Sequence, residues 1–308
     1  MTAERCDVLG VGQCSLDEVA RVDVSPAPSG KARMRERRSA PGGQIATALL
    51  GCARLGWRAA FVSSVGSDAA AEAVLAPLRS AGIDLSRVHS VAEARTQSAW
   101  IWIDAQGERT VLWDRDARLA LAPGAVSRAE VAAARVVLLD AGDLELALRV
   151  AEFARDEHVP CVLDADTPAP GLEALLASVS HPVISQSLAE ALYGNAEAAV
   201  AALAKAGASL PVVTLGRAGA LAWVHGELVA TAAFAITPVD TTGAGDAFHA
   251  GVVHGLLSGF DAHELLHVSH ALAACACLAL GAQAGLPSRE QLRALLANPP
   301  ALTLPRPL

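Results

Sequence analysis

The chain has 308 residues, of which 53% are hydrophobic and 18% charged, enough for one large α/β domain or two small ones. The formal net charge is −8 and the sequence has no basic block, so nucleic-acid binding through a phosphate-neutralising face is not expected. The longest apolar run, residues 271–284, is too short to span a membrane.

The N-terminal region has no secretory signal pattern, because residues 1–5 lead directly into a strand-like stretch at residues 6–11. The cysteines are scattered, and no two of them form a C-x-x-C pair of the kind found in zinc or redox sites. They are Cys6, Cys14, Cys52, Cys161, Cys275 and Cys277. Unpaired thiols in apolar runs are typical of a reducing compartment, so we expect a cytoplasmic protein.

Strand-like and helix-like segments alternate along most of the chain, which predicts a mostly parallel sheet with helices on both faces. The predicted strands are residues 7–11, 59–65, 136–140, 159–164, 183–184 and 212–215. The predicted helices are residues 44–55, 69–81, 144–157, 172–177, 196–206, 245–258 and 264–280.

Two regions interrupt this alternation and predict a small second sheet that could act as a lid. Residues 16–40 read as strand segments around a turn, and residues 97–114 alternate around a turn at 105–107, which indicates a hairpin. The basic stretch at the end of residues 16–40 has an alternative to a role in the lid, in which Arg35, Arg37 and Arg38 form a solvated edge that discourages strand pairing. Pairing of a lid edge with a second subunit would give a homodimer.

Three short features before residue 220 could contribute to a ligand site, although each is also compatible with an ordinary loop or surface residue. Asp17 follows the first strand, where a carboxylate can accept hydrogen bonds from two neighbouring sugar hydroxyls. Gly42 and Gly43 lead into an amphipathic helix whose first amides are free to donate. Residues 214–219, TLGRAG, form a glycine-rich turn at a strand end.

Residues 239–251, VDTTGAGDAFHAG, carry the clearest chemical signal. Gly243 and Gly245 allow a tight turn, and a helix that starts there directs free N–H groups and its positive dipole end towards a phosphate. Asp246 repels phosphate but is well placed to accept a proton from an attacking hydroxyl. The motif therefore predicts phosphoryl transfer from a nucleotide to an alcohol.

Three other motifs do not support a different function. The segment Gly10-Val11-Gly12 starts like a dinucleotide fingerprint but has Ser15 where the third glycine is required, and no P-loop motif occurs. Residues 263–267, HELLH, match the zinc-protease motif H-E-x-x-H. We interpret them as the solvated start of a helix, because short motif matches are often accidental.

The features at Asp17, Gly42-Gly43, residues 214–216 and residues 240–246 occur in the order and at the spacing of the ribokinase/PfkB family of sugar kinases, which the chain resembles over essentially its whole length. The resemblance implies a ribokinase-like three-layer α/β/α sandwich with a mostly parallel central sheet and a small β-sheet lid. It implies a single domain over residues 1–308, with the lid at about 13–40 and 96–115. It also implies ATP-dependent phosphorylation of a monosaccharide hydroxyl, with Mg²⁺ as cofactor.

The resemblance assigns roles to individual residues. Asp246 matches the general base, and the backbone N–H groups of Gly243, Ala244 and Gly245 match the anion hole for the transferred phosphoryl group. Sugar-binding positions match Ser15, Asp17, Gly42, Gly43, Thr47 and Asp246. ATP-binding positions match Thr214, Gly216, Gly219, Gly245 and His270. A loop for a monovalent cation such as K⁺ matches Asp240, Thr242, Ala276 and Gly281.

The chain departs from the family pattern at positions that affect metal and sugar binding. The family's N-x-x-E motif, which positions Mg²⁺ through water, falls on residues 185–188, SQSL, so we expect Mg²⁺ to be held mainly by the nucleotide phosphates and other waters. Thr47 and Ser15 replace two asparagines of the sugar site, so ribose is not expected as the substrate.

A closer likeness within the family is to bacterial kinases of the sulfofructose-kinase type. It is carried by residues 29–31, 97–99, 107–109, 163–166 and 246–249. The arginine that such enzymes place after the strand ending near Asp140 is missing, because residues 140–143 read DAGD, and carboxylates there would repel a sulfonate. We expect an uncharged or monophosphorylated ketose or related sugar, and an anionic sugar would be contacted by Lys31, Arg33 and Arg115. The alternatives are a nucleoside kinase and a catalytically silent sugar or nucleotide sensor.

Overall fold

The computed structural model describes residues 5–303, so residues 1–4 and 304–308 of the predicted single domain lie outside the described residues. The strands are β1 (Cys6–Val11), β2 (Ser15–Val22), β3 (Met34–Gly42), β4 (Ala59–Gly66), β5 (Asp84–Val91), β6 (Ser98–Ile103), β7 (Arg109–Asp114), β8 (Ala134–Asp140), β9 (Cys161–Ala165), β10 (His181–Ser185), β11 (Val212–Thr214), β12 (Ala220–Val224) and β13 (Glu227–Thr231). The helices are α1 (Gln44–Arg54), α2 (Ala69–Ser80), α3 (Arg128–Ala133), α4 (Leu144–Asp156), α5 (Leu172–Leu176), α6 (Gln186–Tyr193), α7 (Ala196–Lys205), α8 (Ala244–Ser258), α9 (Ala262–Ala276) and α10 (Arg289–Ala297).

A nine-stranded sheet forms the centre of the molecule, in the order β13-β12-β11-β10-β9-β8-β1-β4-β5. In this sheet order, every pair of neighbouring strands from β11 across to β5 is parallel. Strands β12 and β13 add an antiparallel hairpin at the edge next to β11. From β1 the sheet continues to β4 and β5 on one side and to β8 and the later strands on the other, so the strand order reverses between β1 and β8. In an open α/β sheet, the crevice at the carboxyl ends of two such strands is the expected ligand position.

Helices cover both faces of this sheet and enclose two apolar layers. One layer contains buried residues of α1, α2, α8, α9 and α10, and the other contains buried residues of α3 to α7. Buried central strands such as β8, ARVVLLD, read as nearly continuous apolar runs because both of their faces are covered. The molecule is therefore a three-layer α/β/α sandwich, as predicted. Within residues 5–303 no helix is long and apolar enough to cross a membrane.

The predicted lid is a separate four-stranded sheet in the order β3-β2-β6-β7. Its strands β2 and β6 pair in parallel, and the outer pairs are antiparallel. One face buries Val19, Ile101 and Ile103, which pack with Leu280 and Val239 next to the start of α8. The other face carries Trp100, which is 52% exposed. The lid thus has one face directed at the 239–246 segment and one at solvent.

The structure differs from the sequence prediction mainly at sheet edges and helix ends. The unpredicted elements are β5, β12, β13, α3, α6 and α10. Strand β5 lies at a sheet edge and mixes polar with apolar residues, which hides its period. Helix α9 begins two residues earlier than predicted because Asp261 and Glu264 form a capping box, and it ends at Ala276 rather than at 280. Strand β9 begins at Cys161 because the Val159 amide bonds to Ala154 and Pro160 has no N–H.

Candidate active site

The N-terminus of α8 is free of side-chain caps. Its N-cap, Gly243, has φ 81° and lies so close to Ala282 that a side chain would collide with that backbone. The amide of Ala244 donates to Thr241 O at 3.2 Å, whereas the amides of Gly245 and Asp246 have no acceptor among residues 5–303. Free amides at the positive end of a fifteen-residue helix form a suitable place for an anion.

Asp246 lies in the first turn of α8, and within the described part of the chain its half-buried carboxylate accepts no hydrogen bond. Burial raises the pKa of Asp246 to about 8, the carboxylate of Asp164 adds to this rise, and His249 and Arg109 oppose it. A carboxylate without internal partners keeps its lone pairs for a substrate proton, which is the property required of a general base.

Asp240 is fully buried and, unlike Asp246, has partners for both oxygens. Its Oδ1 accepts from the amide of Thr242 and its Oδ2 from the amide of Gly281, each at 2.7 Å. The hydroxyl oxygen of Thr242 is buried beside them and has no hydrogen-bond partner among residues 5–303. The structure therefore brings together three of the four residues predicted for a cation loop. Ala276 is fully buried at the end of α9 and makes no hydrogen bond to the other three.

Asp17 lies on the lid strand β2 and is 4% exposed. The hydroxyl of Ser15 donates to its Oδ1 at 2.6 Å, and burial raises the pKa of Asp17 to about 6. A side chain on Gly42 would overlap the Asp17 carboxylate, so glycine at 42 is required by the position of Asp17. Gly43 caps α1 with φ 92°, and a side chain on it would collide with the backbone of Cys14. These four predicted sugar-site residues are brought together.

Thr47, which the sequence places in the sugar site, lies behind it. None of its surface is exposed, and its hydroxyl is 3.4 Å from the amide nitrogen of Gln283. In this conformation Thr47 has no surface available for a direct contact with a substrate. Its position in the second turn of α1 explains this burial, because that face of the helix packs into the core.

The crevice between β1 and β8 contains carboxylates that sequence reasoning had noted only as a barrier to sulfonates. Asp140 accepts from the amides of Gln13 at 2.6 Å and Gly142 at 2.9 Å, and burial raises its pKa to about 6. Asp143 forms a salt bridge with Arg115, with Oδ2 and Nη2 2.7 Å apart and side chains only 11% and 15% exposed.

Of the three cations predicted to contact an anionic sugar, Arg115 is already bonded within the fold. Arg115 donates from both terminal nitrogens to Asp143, and it also donates to the carbonyls of Gly142 and Leu119. Lys31 and Arg33 lie in the exposed loop between β2 and β3. Arg35 and Arg37 pair with lid carboxylates instead, which fits the interpretation of a charged sheet edge.

The glycine-rich turn after β11 packs against the edge strand β13. Gly216 and Gly219 have φ 57° and 101°, and the amide of Leu215 donates to Gly219 O at 2.8 Å. Gly219 packs against the backbone of Thr231, whose hydroxyl is 2.9 Å from Nε2 of His270. A cavity of about 390 Å³ opens beside His270. Thr231 therefore links two of the predicted ATP positions, Gly219 and His270. A third predicted ATP residue, Thr214, lies at the end of β11 with its hydroxyl 3.4 Å from Ile184 O.

The lid contacts the 239–246 segment directly at Thr241. The Thr241 hydroxyl donates to Gly107 O at 2.9 Å, and Arg109 donates to Thr241 O at 2.7 Å. Both bonds come from the turn and the start of strand β7. The tip of the lid is therefore fastened to the loop that precedes α8.

The two metal motifs have structural explanations. Glu264 of the H-E-x-x-H segment completes the α9 capping box, and Leu265 and Leu266 are buried in the core. Ser185, at the first N-x-x-E position, caps α6 by accepting from the amide of Leu188, which is fully buried. Residues 185 and 188 therefore do not fit Mg²⁺. In residues 5–303 no three His, Cys, Asp or Glu side chains cluster as metal ligands would.

Sequence reasoning did not identify His249 and Asp164 as members of this site. His249 lies one turn below Asp246 on α8, and Asp164 lies in β9, with its Oδ2 3.3 Å from Nδ1 of His249. The available signal was the position of Asp164 near the carboxyl end of a central strand, where open α/β sheets bind ligands.

Comparison with known proteins agrees with this geometry. The family model described as pfkB family carbohydrate kinase matches residues 7–289. A ribokinase of Haemophilus influenzae is 27% identical over 297 residues, covering 91% of this chain and 95% of the relative. A nucleoside kinase of Methanothermobacter thermautotrophicus is 26% identical over 295 residues, covering 92% and 94%. The structure of Arabidopsis thaliana ribokinase complexed with ribose and ATP has a TM-score of 0.79 at 24% identity, covering 95% of this chain and 99% of that chain, a likeness of fold.

Proposed function

The chain belongs to the pfkB family of carbohydrate kinases and is an ATP-dependent phosphotransferase that acts on a hydroxyl of a sugar or nucleoside, and we propose that its acceptor is an uncharged monosaccharide, a ketose or related sugar. The observation that carries the proposal is the unpartnered Asp246 carboxylate at the uncapped start of α8. This helix directly follows the loop that the lid contacts at Thr241. A base next to an anion site is the arrangement that phosphoryl transfer to an alcohol needs.

In the proposed mechanism, Asp246 accepts the proton of the attacking sugar hydroxyl. The raised pKa of Asp246 favours this role, since a base with a pKa of about 8 holds a proton better than an ordinary carboxylate. Bound ATP supplies the γ-phosphoryl group. The Gly243 and Gly245 amides stabilise the charge that develops on that group, and the Ala244 amide joins them if it releases Thr241.

We assign acceptor binding to Asp17 together with Ser15, Gly42 and Gly43. The Asp17 carboxylate keeps lone pairs beyond the one that Ser15 occupies, and a carboxylate can accept from two neighbouring hydroxyls. An uncharged sugar is favoured because Asp17 and Asp140 are carboxylates and Arg115 is already neutralised by Asp143. An acceptor that carries phosphate or sulfonate would meet repulsion from these carboxylates.

We assign ATP binding to the turn of Thr214, Gly216 and Gly219 and to His270. The support is that Thr231 joins both parts, since it contacts Gly219 and hydrogen-bonds His270. Mg²⁺ is expected with the nucleotide, held by phosphate oxygens and water, because Ser185 and Leu188 are engaged elsewhere. No protein ligand for Mg²⁺ is assigned.

We propose that Asp240, Thr242 and Gly281, with backbone at Ala276, hold a monovalent cation such as K⁺. The fit is chemical, because the orphaned buried hydroxyl of Thr242 and the Asp240 carboxylate are oxygen donors, which hard cations prefer. A bound cation would neutralise Asp240 and fix the loop that leads into α8. Thermal melting in KCl compared with tetramethylammonium chloride tests this, and equal melting temperatures would remove the proposal.

An acceptor panel tests the proposed substrate class. The purified full-length chain is given ATP, Mg²⁺ and single acceptors, and ADP release is followed. The panel contains ketoses, aldoses, sugar phosphates, a sulfonated sugar and nucleosides, with an Asp246→Asn protein as background. We expect the highest kcat/KM on an uncharged sugar. A preference for an anionic acceptor would contradict the assignment of Arg115 as neutralised.

A nucleoside acceptor is the second candidate, favoured by the similarity to a nucleoside kinase over 92% of this chain. The same catalytic groups would serve, because a nucleoside also presents a sugar hydroxyl. The discriminating result is the ratio of kcat/KM for a nucleoside to that for the free sugar it contains. A ratio well above one would move the assignment to the nucleoside.

We propose a homodimer formed through the solvent face of the lid, in a cytoplasmic location that suits six free cysteines. Trp100 and its cross-strand neighbour Leu112 are 52% and 59% exposed, and Arg37 lies over the Trp100 ring. An exposed apolar patch of this kind often marks an interface. Sedimentation should show a dimer that Leu112→Asp converts to a monomer, and a monomeric parent protein would refute the proposal.

A further inference from the structure

His249 is a buried side chain of α8 whose two ring nitrogens both face hydrogen-bond acceptors. Its Nδ1 is 2.7 Å from Gly245 O, and its Nε2 is 3.2 Å from Val183 O. The carboxylate of Asp164 also approaches Nδ1, with Oδ2 at 3.3 Å. No hydroxyl or N–H group within residues 5–303 donates to either nitrogen.

This environment is satisfied by only one protonation state of the ring. A neutral imidazole has one N–H donor and one lone pair, so either tautomer turns a lone pair towards a carbonyl oxygen. An imidazolium ion has two N–H donors and can bond both Gly245 O and Val183 O. An unmet buried acceptor or donor is costly, and the geometry therefore favours the charged ring.

The charged groups around His249 come from three elements. Asp246 lies one turn earlier on α8, Asp164 is in β9 and Asp166 follows it, and Arg109 of the lid acts on both Asp246 and Asp164. Burial lowers the pKa of His249, and the two carbonyls with the carboxylates of Asp246 and Asp166 act in the opposite direction. Burial raises the pKa of Asp164. The attraction within a buried ion pair offsets the desolvation of its partners only where further hydrogen bonds satisfy both groups, and here each ring nitrogen of His249 faces a carbonyl oxygen.

We propose that His249 is an imidazolium ion paired with Asp164, and that this buried cation is a positioning residue that makes it easier for Asp246 to lose its proton and act as the base. The inference rests on the proposed role of Asp246. Without the cation, Asp246 would lie near the carboxylates of Asp164 and Asp166 with only Arg109 in opposition, and it would hold its proton up to a higher pH.

A second histidine on the same helix provides a matched control. Nδ1 of His254 accepts a hydrogen bond from Nε1–H of Trp57 at 2.9 Å, so this ring must keep a lone pair and be neutral. Burial lowers the pKa of His254 to about 4. His249 and His254 lie five residues apart on α8. The ring of His249 faces two acceptors, whereas the ring of His254 accepts a hydrogen bond, so the two rings should titrate differently.

The direct test is nitrogen NMR of the full-length protein labelled with ¹⁵N-histidine. His249→Gln and His254→Gln proteins assign the two signals. At neutral pH we expect both nitrogens of His249 to be protonated and His254 to have one bare nitrogen. A bare nitrogen on His249 would overturn the inference. This readout does not depend on the acceptor or on turnover.

The second test is the pH dependence of kcat/KM on the best acceptor. His249→Gln should move the acid limb to higher pH by about one unit, so activity below the limb falls roughly tenfold. His254→Gln should leave the limb in place. An unmoved limb in a folded His249→Gln protein would refute the positioning role even if the ring is charged.

Asp164→Asn tests the ion pair independently, in case the His249→Gln protein does not fold. It keeps the side-chain shape and removes the counter-ion, so the His249 ring should lose its proton at a lower pH in the NMR titration. An unchanged titration would refute the ion pair. If the parent protein turned over no acceptor at all, the proposed function would fail while the NMR result still decided the charge of His249.

Discussion

The two ends of the site are built in opposite ways. At the start of α8, Asp246 and the amides of Gly245 and Asp246 have no partners within the described chain, so they are available to a substrate. At the crevice between β1 and β8, Asp140, Asp143 and Arg115 are joined by internal hydrogen bonds and a salt bridge. The difference teaches that the reacting groups are those the fold leaves free, and that the acceptor end obtains its shape from groups bonded to each other.

The largest expected effect is the loss of turnover when the free carboxylate is removed. Asp246→Asn should lower kcat by roughly 10²–10⁴-fold, the usual contribution of a general base. Its ATP affinity should change little, because the contacts assigned to the nucleotide are backbone amides and the 214–219 turn rather than the Asp246 side chain. Steady-state kinetics with isothermal titration of ATP would measure both. Near-normal turnover of this variant would show that Asp246 is not the base.

The same variant should be more stable than the parent at alkaline pH. The folded pKa of Asp246 is about 8, above its ordinary value of 3.8, so the folded state binds this proton more tightly than the unfolded state. Tighter binding of the Asp246 proton stabilises the folded state below pH 3.8, and this stabilisation is lost as the pH rises towards about 8. Asp246→Asn should gain on the order of 1–3 kcal/mol at the alkaline end. Urea unfolding across pH measures the difference, and parallel profiles would contradict it.

At the partnered end, breaking one contact should cost stability. Asp143→Ala leaves the Arg115 guanidinium without its carboxylate in a site where only 15% of that side chain is exposed, and should lower the free energy of unfolding by about 3–5 kcal/mol. The double variant Asp143→Ala with Arg115→Met should regain much of this loss. Denaturant melts test both proteins. Equal stability of the single variant and its parent would show that the pair is not structural.

A smaller effect is expected where a carboxylate is partly free. Asp17→Asn keeps shape but removes charge, and should lower kcat/KM for the acceptor by about 10–100-fold, the range for hydrogen bonds to a charged group. The KM for ATP should not change and serves as the internal control. An equal loss for both substrates would mean that Asp17 supports the fold rather than the acceptor.

The smallest effect is expected at Thr47. Thr47→Val removes a hydroxyl that is fully buried and 3.4 Å from Gln283, so the acceptor KM should change by less than about threefold. A tenfold rise in the acceptor KM with an unaltered melting temperature would restore Thr47 to the sugar site.

The sequence predicted the fold class correctly, and it pointed to the loop proposed to react, because both depend on local patterns. Alternating strands and helices defined the sandwich, and Gly243 to Asp246 carried the anion site and the base in adjacent residues. The pairing of Arg115 with Asp143 could not be predicted, because it joins residues 28 positions apart whose proximity depends on how the lid docks. The burial of Thr47 and the approach of the Val183 carbonyl to His249 also depend on packing between distant segments.

The most direct test of the proposed reaction is an acceptor panel scored by ADP release, with the parent and Asp246→Asn proteins side by side. We predict ATP-dependent turnover on an uncharged sugar by the parent protein, a lower kcat/KM on its phosphorylated or sulfonated form, and a loss of at least roughly 10²-fold in Asp246→Asn. A higher kcat/KM on the anionic form, or equal turnover by the two proteins, would contradict the account.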